Sequence, residues 1–146
     1  MKAATITSDT SHQHPNTLLI IAAVLGGLSV AIGAFAAHGL KSILTEQAMG
    51  WMSTGVQYQQ FHALALLAVA ILWKVQPSWN LLKQSGWSFI IGMVLFSGSL
   101  YAMAATDVRA LGMITPIGGL VFLLGWLLLV VACWRGNADR GNAHDR

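Results

Sequence analysis

Charged side chains cut this chain into long uncharged runs. None falls between Asp9 and Lys41, between Glu46 and Lys74, between Lys83 and Asp107, or between Arg109 and Arg135, which leaves gaps of 31, 27, 23 and 25 residues. A helix crossing the hydrocarbon core of a bilayer needs about 20 predominantly apolar residues. The four gaps therefore predict four transmembrane helices, at Thr17 to Ala37, Tyr58 to Trp73, Gly86 to Ala105 and Pro116 to Trp134. At a rise of about 1.5 Å per residue these come to about 24 to 32 Å, close to the core thickness.

The second span is short by this count, but its helix is expected to begin earlier. Leu44, Ala48, Met52 and Val56 recur every four residues in a stretch without proline, the pattern of an amphipathic helix lying at the membrane surface. The fold class predicted is an all-α integral membrane four-helix bundle, with an interfacial helix leading into the second transmembrane helix. One domain, 17–135, is flanked by polar tails at 1–16 and 136–146, the first expected to be disordered. Pro77, Ser78 and Asn80 mark the loop after the second span. Thr115-Pro116 reads as an N-cap followed by proline at the first helical position.

Composition removes the alternatives. Of the 146 residues 55% are hydrophobic and 9% charged, where a soluble domain carries about 25% charged residues. Buried helices of a soluble protein would have nothing polar enough to cover them. The net charge of +3 comes from cations set singly at helix ends, not from a basic face, so nucleic acid is not an expected partner. Cys133 is the single cysteine, which leaves no internal disulfide and no CxxC motif. Ala34-Phe35-Ala36 has the form of a signal-peptidase site, yet the apolar run before it is too long and small residues continue past it; the first helix is expected to remain uncut.

Lys and Arg set the orientation. With four spans, Lys2, Lys74, Lys83, Arg135, Arg140 and Arg146 share one side, against Lys41 and Arg109 on the other. Both termini are therefore predicted to be cytoplasmic. Trp73, Trp79, Trp87 and Trp134 would line that interface and Trp51 the opposite one.

Small residues occupy the spans in a pattern. Apolar side chains gain nothing by hiding from lipid, so transmembrane helices associate through close approach and interhelical hydrogen bonds. Ala22 and Gly26, then Ser29, Gly33 and Ala37, recur at four-residue spacing; Ser88 and Gly92, Gly98 and Ala102, and Gly118, Gly119 and Gly125 supply the third and fourth helices. They predict a tight bundle, and leave open a face for a second copy or a membrane-protein partner alongside the lipid itself.

A polar cluster is expected at the non-cytoplasmic end, from His38, Tyr58, His62, Asp107, Arg109 and Thr115, with Lys41, Glu46 and Gln57 nearby. Tyr58 and His62 stand one turn apart on one helix face. Histidines here hydrogen-bond neighbouring helices in one reading; in another, His38 and His62 ligate haem or a metal in a redox protein. Spacing specifies no third ligand, and no cofactor is expected. Catalysis has little support: no Ser-His-Asp order, paired carboxylates or phosphate loop is present. A small transporter or channel would need polar groups at mid-depth, where Ser29, Ser97 and Ser99 are the ones on offer.

Three ordered segments, "GAFAAHGL", "VQYQQFHALALL" and "LFSGSLYAMAATDVRALGMITPIGGLVFLLGW", resemble the domain-of-unknown-function 423 family of small bacterial inner-membrane proteins, related to animal transmembrane protein 256. The resemblance runs from Leu18 to Trp126. The chain departs from the family pattern in having Ala36 where glycine is usual and Phe61 where tyrosine is. The resemblance implies a four-helix inner-membrane protein, and attaches no catalytic role to its motif positions His38, Gly39, Tyr58, His62, Ser97, Gly98, Ser99, Tyr101, Thr115, Pro116, Gly118 and Gly119. Together these readings predict a multi-pass protein of the bacterial inner membrane, structural or accessory to a larger assembly.

Overall fold

A computed structural model describes residues 14–144, with side chains from 16 to 136. Lys2, Arg146 and nearly all of the expected N-terminal tail lie outside that description, as do the side chains of the C-terminal tail, that of Arg140 included.

Four long helices account for the chain: α1 His14–Phe35, α2 Glu46–Val75, α3 Asn80–Thr106 and α4 Thr115–His144. A π-turn at Ala36–Leu40 prolongs α1, and a 3-10 turn at Arg109–Met113 leads into α4. All four are long and apolar enough to cross a membrane, and no strand occurs among the described residues. In lipid the backbone must satisfy itself, and helices do so within one segment.

The helix of the second span begins earlier than Tyr58, as expected, whereas α4 runs past its expected end. The interfacial stretch and the second span are one unbroken helix of 30 residues, α2. Its length of about 45 Å exceeds the hydrocarbon core, so one end projects. Thr45 caps it, its hydroxyl accepting from the Ala48 N–H at 3.2 Å, with Glu46 in the first turn facing the positive end of the helix dipole. By contrast, α4 does not stop at Trp134: it continues to His144 through the expected tail.

Helices neighbouring in sequence pack side by side, α1 on α2, α2 on α3 and α3 on α4, with no comparable pairing of α1 with α4 among the described residues. Leu18, Ala22, Leu66, Val69, Leu82, Phe89, Met93 and Phe122 form the main core. Ala36, Ala48, Met52 and Ala104 form a second one at the loop end, where the predicted apolar face of α2 meets the end of α1. The lipid-facing sides of α1 and α4 carry Ile20, Val30, Leu120 and Val130, all exposed.

Several of the predicted small residues make the close contacts. A Cβ on Gly118 would meet the Phe96 backbone nitrogen at 2.5 Å, one on Gly125 the Phe89 ring at 2.8 Å, and one on Gly33 the Val56 side chain at 3.2 Å. Gly92 leaves the space that the Phe122 ring enters. Ser29 is fully buried, and Gly26 sits opposite Ala63. Other positions do not serve as expected. Nothing lies within 4 Å of a Cβ on Gly98, and Ala37 is exposed. Gly98 stands in open space and Ala37 lies at the exposed edge of a cleft beside α2, a placement that spacing alone does not reveal. Gly39, in the π-turn, packs against the Phe35 ring, which lies 2.9 Å from where its Cβ would be.

Trp73 also departs from expectation. It is buried, and its indole donates to the Pro77 carbonyl at 3.3 Å, closing the loop instead of anchoring the interface.

Candidate functional site

The six predicted cluster residues fall into separate settings. His38 is exposed in the π-turn, and Asp107 is exposed as the C-cap of α3. Arg109 is exposed, its guanidinium donating to the Gln47 side-chain oxygen at 3.4 Å. Thr115 is not an N-cap: its hydroxyl pairs with that of Ser99 at 2.7 Å, and the first-turn bond runs from the Gly118 N–H to the Ile114 carbonyl.

Tyr58 and His62 lie deeper, because α2 starts at Glu46 and not at Tyr58. His62 is sixteen residues along a helix of 30, near mid-span. Register separates it from His38. Gly26 faces Ala63 and Gly33 faces Val56 across the antiparallel pair, so His38 stands level with Trp51, eleven residues from His62. That is about 16 Å along the axis, and the two imidazoles cannot share one ligand. Among the described residues no three His, Cys, Asp or Glu side chains converge.

Aromatic rings from three helices enclose His62. Phe122 of α4 stacks on it with ring centroids 3.5 Å apart and planes 7° from parallel. Phe61 meets it edge-on at 5.3 Å, and Phe89 of α3 is tilted at 5.6 Å. The Nδ1 atom lies 2.8 Å from the Tyr58 carbonyl, and the Trp126 indole N–H points at Nε2 at 3.4 Å. A carbonyl only accepts and an indole only donates, so the pairing selects the neutral tautomer protonated at Nδ1. Both ring nitrogens are engaged inside the protein.

Gln59, one turn before His62 and 5% exposed, is the polar residue that sequence reasoning missed. Its amide nitrogen donates to the Leu25 carbonyl of α1 at 2.8 Å, and its oxygen accepts from the Tyr101 hydroxyl of α3 at 2.9 Å. One side chain thus links three helices. Ser85 similarly ties α3 to α4 by donating to the Gly125 carbonyl at 2.8 Å. Of the serines weighed for transport, Ser29 bonds the Gly26 carbonyl and Ser99 the Phe96 carbonyl. Ser97 is buried without a partner.

Beside His62 a groove of about 730 Å³ runs between α2 and α4, floored by Phe96 of α3. Gln57, Tyr58 and Pro116 stand at its loop end and Trp126 at the deep end, with Phe61, Gly119, Leu120 and Leu123 along the sides. No charged residue lines it. Phe61, Leu120 and Leu123 are all more than half exposed, so its open side faces the lipid. The "QYQQF" run, polar side chains set against an apolar span, was the signal that could have located both groove and clamp.

Residues 32–119 match the family model described as Protein of unknown function (DUF423). The chain is 44% identical to a UPF0382 membrane protein of Haemophilus influenzae, over 84% of its own length and 98% of the relative's. It is 43% identical to the UPF0382 inner membrane protein YgdD of Escherichia coli strain K12, over 81% and 89% respectively. With the UPF0382 membrane protein YwdK of Bacillus subtilis the identity is 41%, over 78% and 93%. No solved structure matches.

Proposed function

Given that the chain belongs to the DUF423 family and is a multi-pass inner-membrane protein, we propose that it serves as a structural or accessory component of a membrane assembly, without chemistry of its own. The observation that carries this reading is the fate of its buried polar side chains. Such groups are costly in lipid and by default mark function. Here Gln59, His62, Ser85 and Ser99 are joined to other helices by hydrogen bonds, which is the work of a scaffold. The surfaces left to act are the outer faces of α1 and α4, for a second copy or another membrane protein.

The proposed topology has the polar ends of the 17–135 domain in the cytoplasm. Lys74, Lys83 and Arg135 support it, at the end opposite Lys41 and Arg109. A fluorescent protein fused after Arg146 should light up, whereas a periplasmic reporter there should stay silent. For the accessory role, photo-crosslinkers at Leu28 of α1 and Leu127 of α4, both exposed, should yield adducts in cells. A strictly monomeric protein in mild detergent, with no adduct from either face, removes the role.

A further inference from the structure

We propose that the groove between α2 and α4 binds a membrane-dissolved lipid with an uncharged, flat, oxygen-bearing ring head, of the quinone or quinol class, the head lying at Tyr58 and Gln57. This goes beyond a scaffolding role and does not depend on it.

Access selects the ligand first. The groove opens sideways into the bilayer, so molecules already dissolved in lipid are those that reach it. Its volume of about 730 Å³ lies within the usual range for small-molecule sites, about 300 to 1,000 Å³. Charge selects next. With no Lys, Arg, Asp or Glu in the lining, a phosphate or ammonium head would enter a low-dielectric site without a counter-charge, at a heavy desolvation cost. An uncharged head carries no such penalty.

Shape and hydrogen bonding complete the choice. Tyr58 stacks on Phe96 with centroids 4.3 Å apart, and Gly119 opposite adds no side chain to the groove wall. A flat ring can stack on such an aromatic surface. Tyr58 and Gln57 line the groove, and neither makes a side-chain hydrogen bond among the described residues. Ring oxygens would satisfy both, since each can donate or accept. Below them the lining turns apolar, through Phe61 and Leu123 to Trp126, the course an apolar tail would follow. The His62 nitrogens already have partners, so the ring is held by the mouth of the groove and not by the imidazole.

The full-length protein in phosphatidylcholine nanodiscs should quench saturably, by tryptophan emission, with decylubiquinone at one probe per chain, beyond what empty discs show. Gly119→Leu adds bulk to the groove wall and should weaken binding at least about tenfold. Tyr58→Phe keeps the ring stack and removes one hydrogen bond, for a loss of about fivefold. Phosphatidylglycerol should not compete. The proposal fails if no saturable binding exceeds that of empty discs, or if both variants bind as the parent does. It also fails if phosphatidylglycerol displaces the probe, which would make the groove a phospholipid site. Should Gly119→Leu melt abnormally, the Tyr58→Phe result decides.

Discussion

Phe122 on α4 reaches into the space left by Gly92 on α3, and from there its ring lies flat on His62 of α2. One missing side chain thereby lets three helices meet around an imidazole. The surrounding aromatic contacts add to this, since such pairs contribute about 0.5–1.5 kcal/mol each beyond their burial.

Gly92→Ala should therefore destabilise the bundle by about 1–3 kcal/mol, because its Cβ would overlap the Phe122 ring. Gly98→Ala, with open space around it, should be neutral or up to about 1 kcal/mol more stable through helix propensity. Thermal melts of the two variants in one detergent make the comparison. Equal losses would refute the assigned helix faces.

Gln59→Leu leaves the part-buried Tyr101 hydroxyl without its acceptor, at a cost of about 1–2 kcal/mol. Adding Tyr101→Phe should recover part of that loss, since no hydroxyl then remains stranded. A double-mutant cycle reads the coupling directly; strict additivity of the two changes would contradict the contact.

The tautomer of His62 is open to spectroscopy. In protein carrying 15N-labelled histidine, one ring should show a protonated Nδ1 beside an unprotonated Nε2, and that signal should vanish in His62→Gln. A ring protonated at Nε2 would mean that Trp126 is not its donor.

Asp107 is the described non-glycine residue with positive φ, 56°, and its N–H bonds back to the Met103 carbonyl to end α3. If its role is that of a cap, Asp107→Gly should gain about 0.5–1 kcal/mol, and Asp107→Val should lose more than that. A melting temperature lowered by the glycine would point to a further task for the carboxylate.

Legibility divided along a physical line. The four crossings could be read from the sequence because lipid imposes a local demand, about 20 uncharged residues whose backbone satisfies itself within one helix. The small residues announced close packing for the same reason: no other force gathers apolar helices in an apolar solvent. Spacing could not say which of them face a neighbour. Every side of these helices is greasy, so hydropathy carries no signal of rotation, and Gly92 and Gly98 look alike until the helices are docked. Depth was decided in the same way. An unbroken α2 placed His62 at mid-span and set it about 16 Å from His38, while rotation turned Gln59 inward to Leu25 and Tyr101. Solvent preference is written residue by residue along the chain, but the partner of a buried polar group depends on the register between helices, which only the docked bundle supplies.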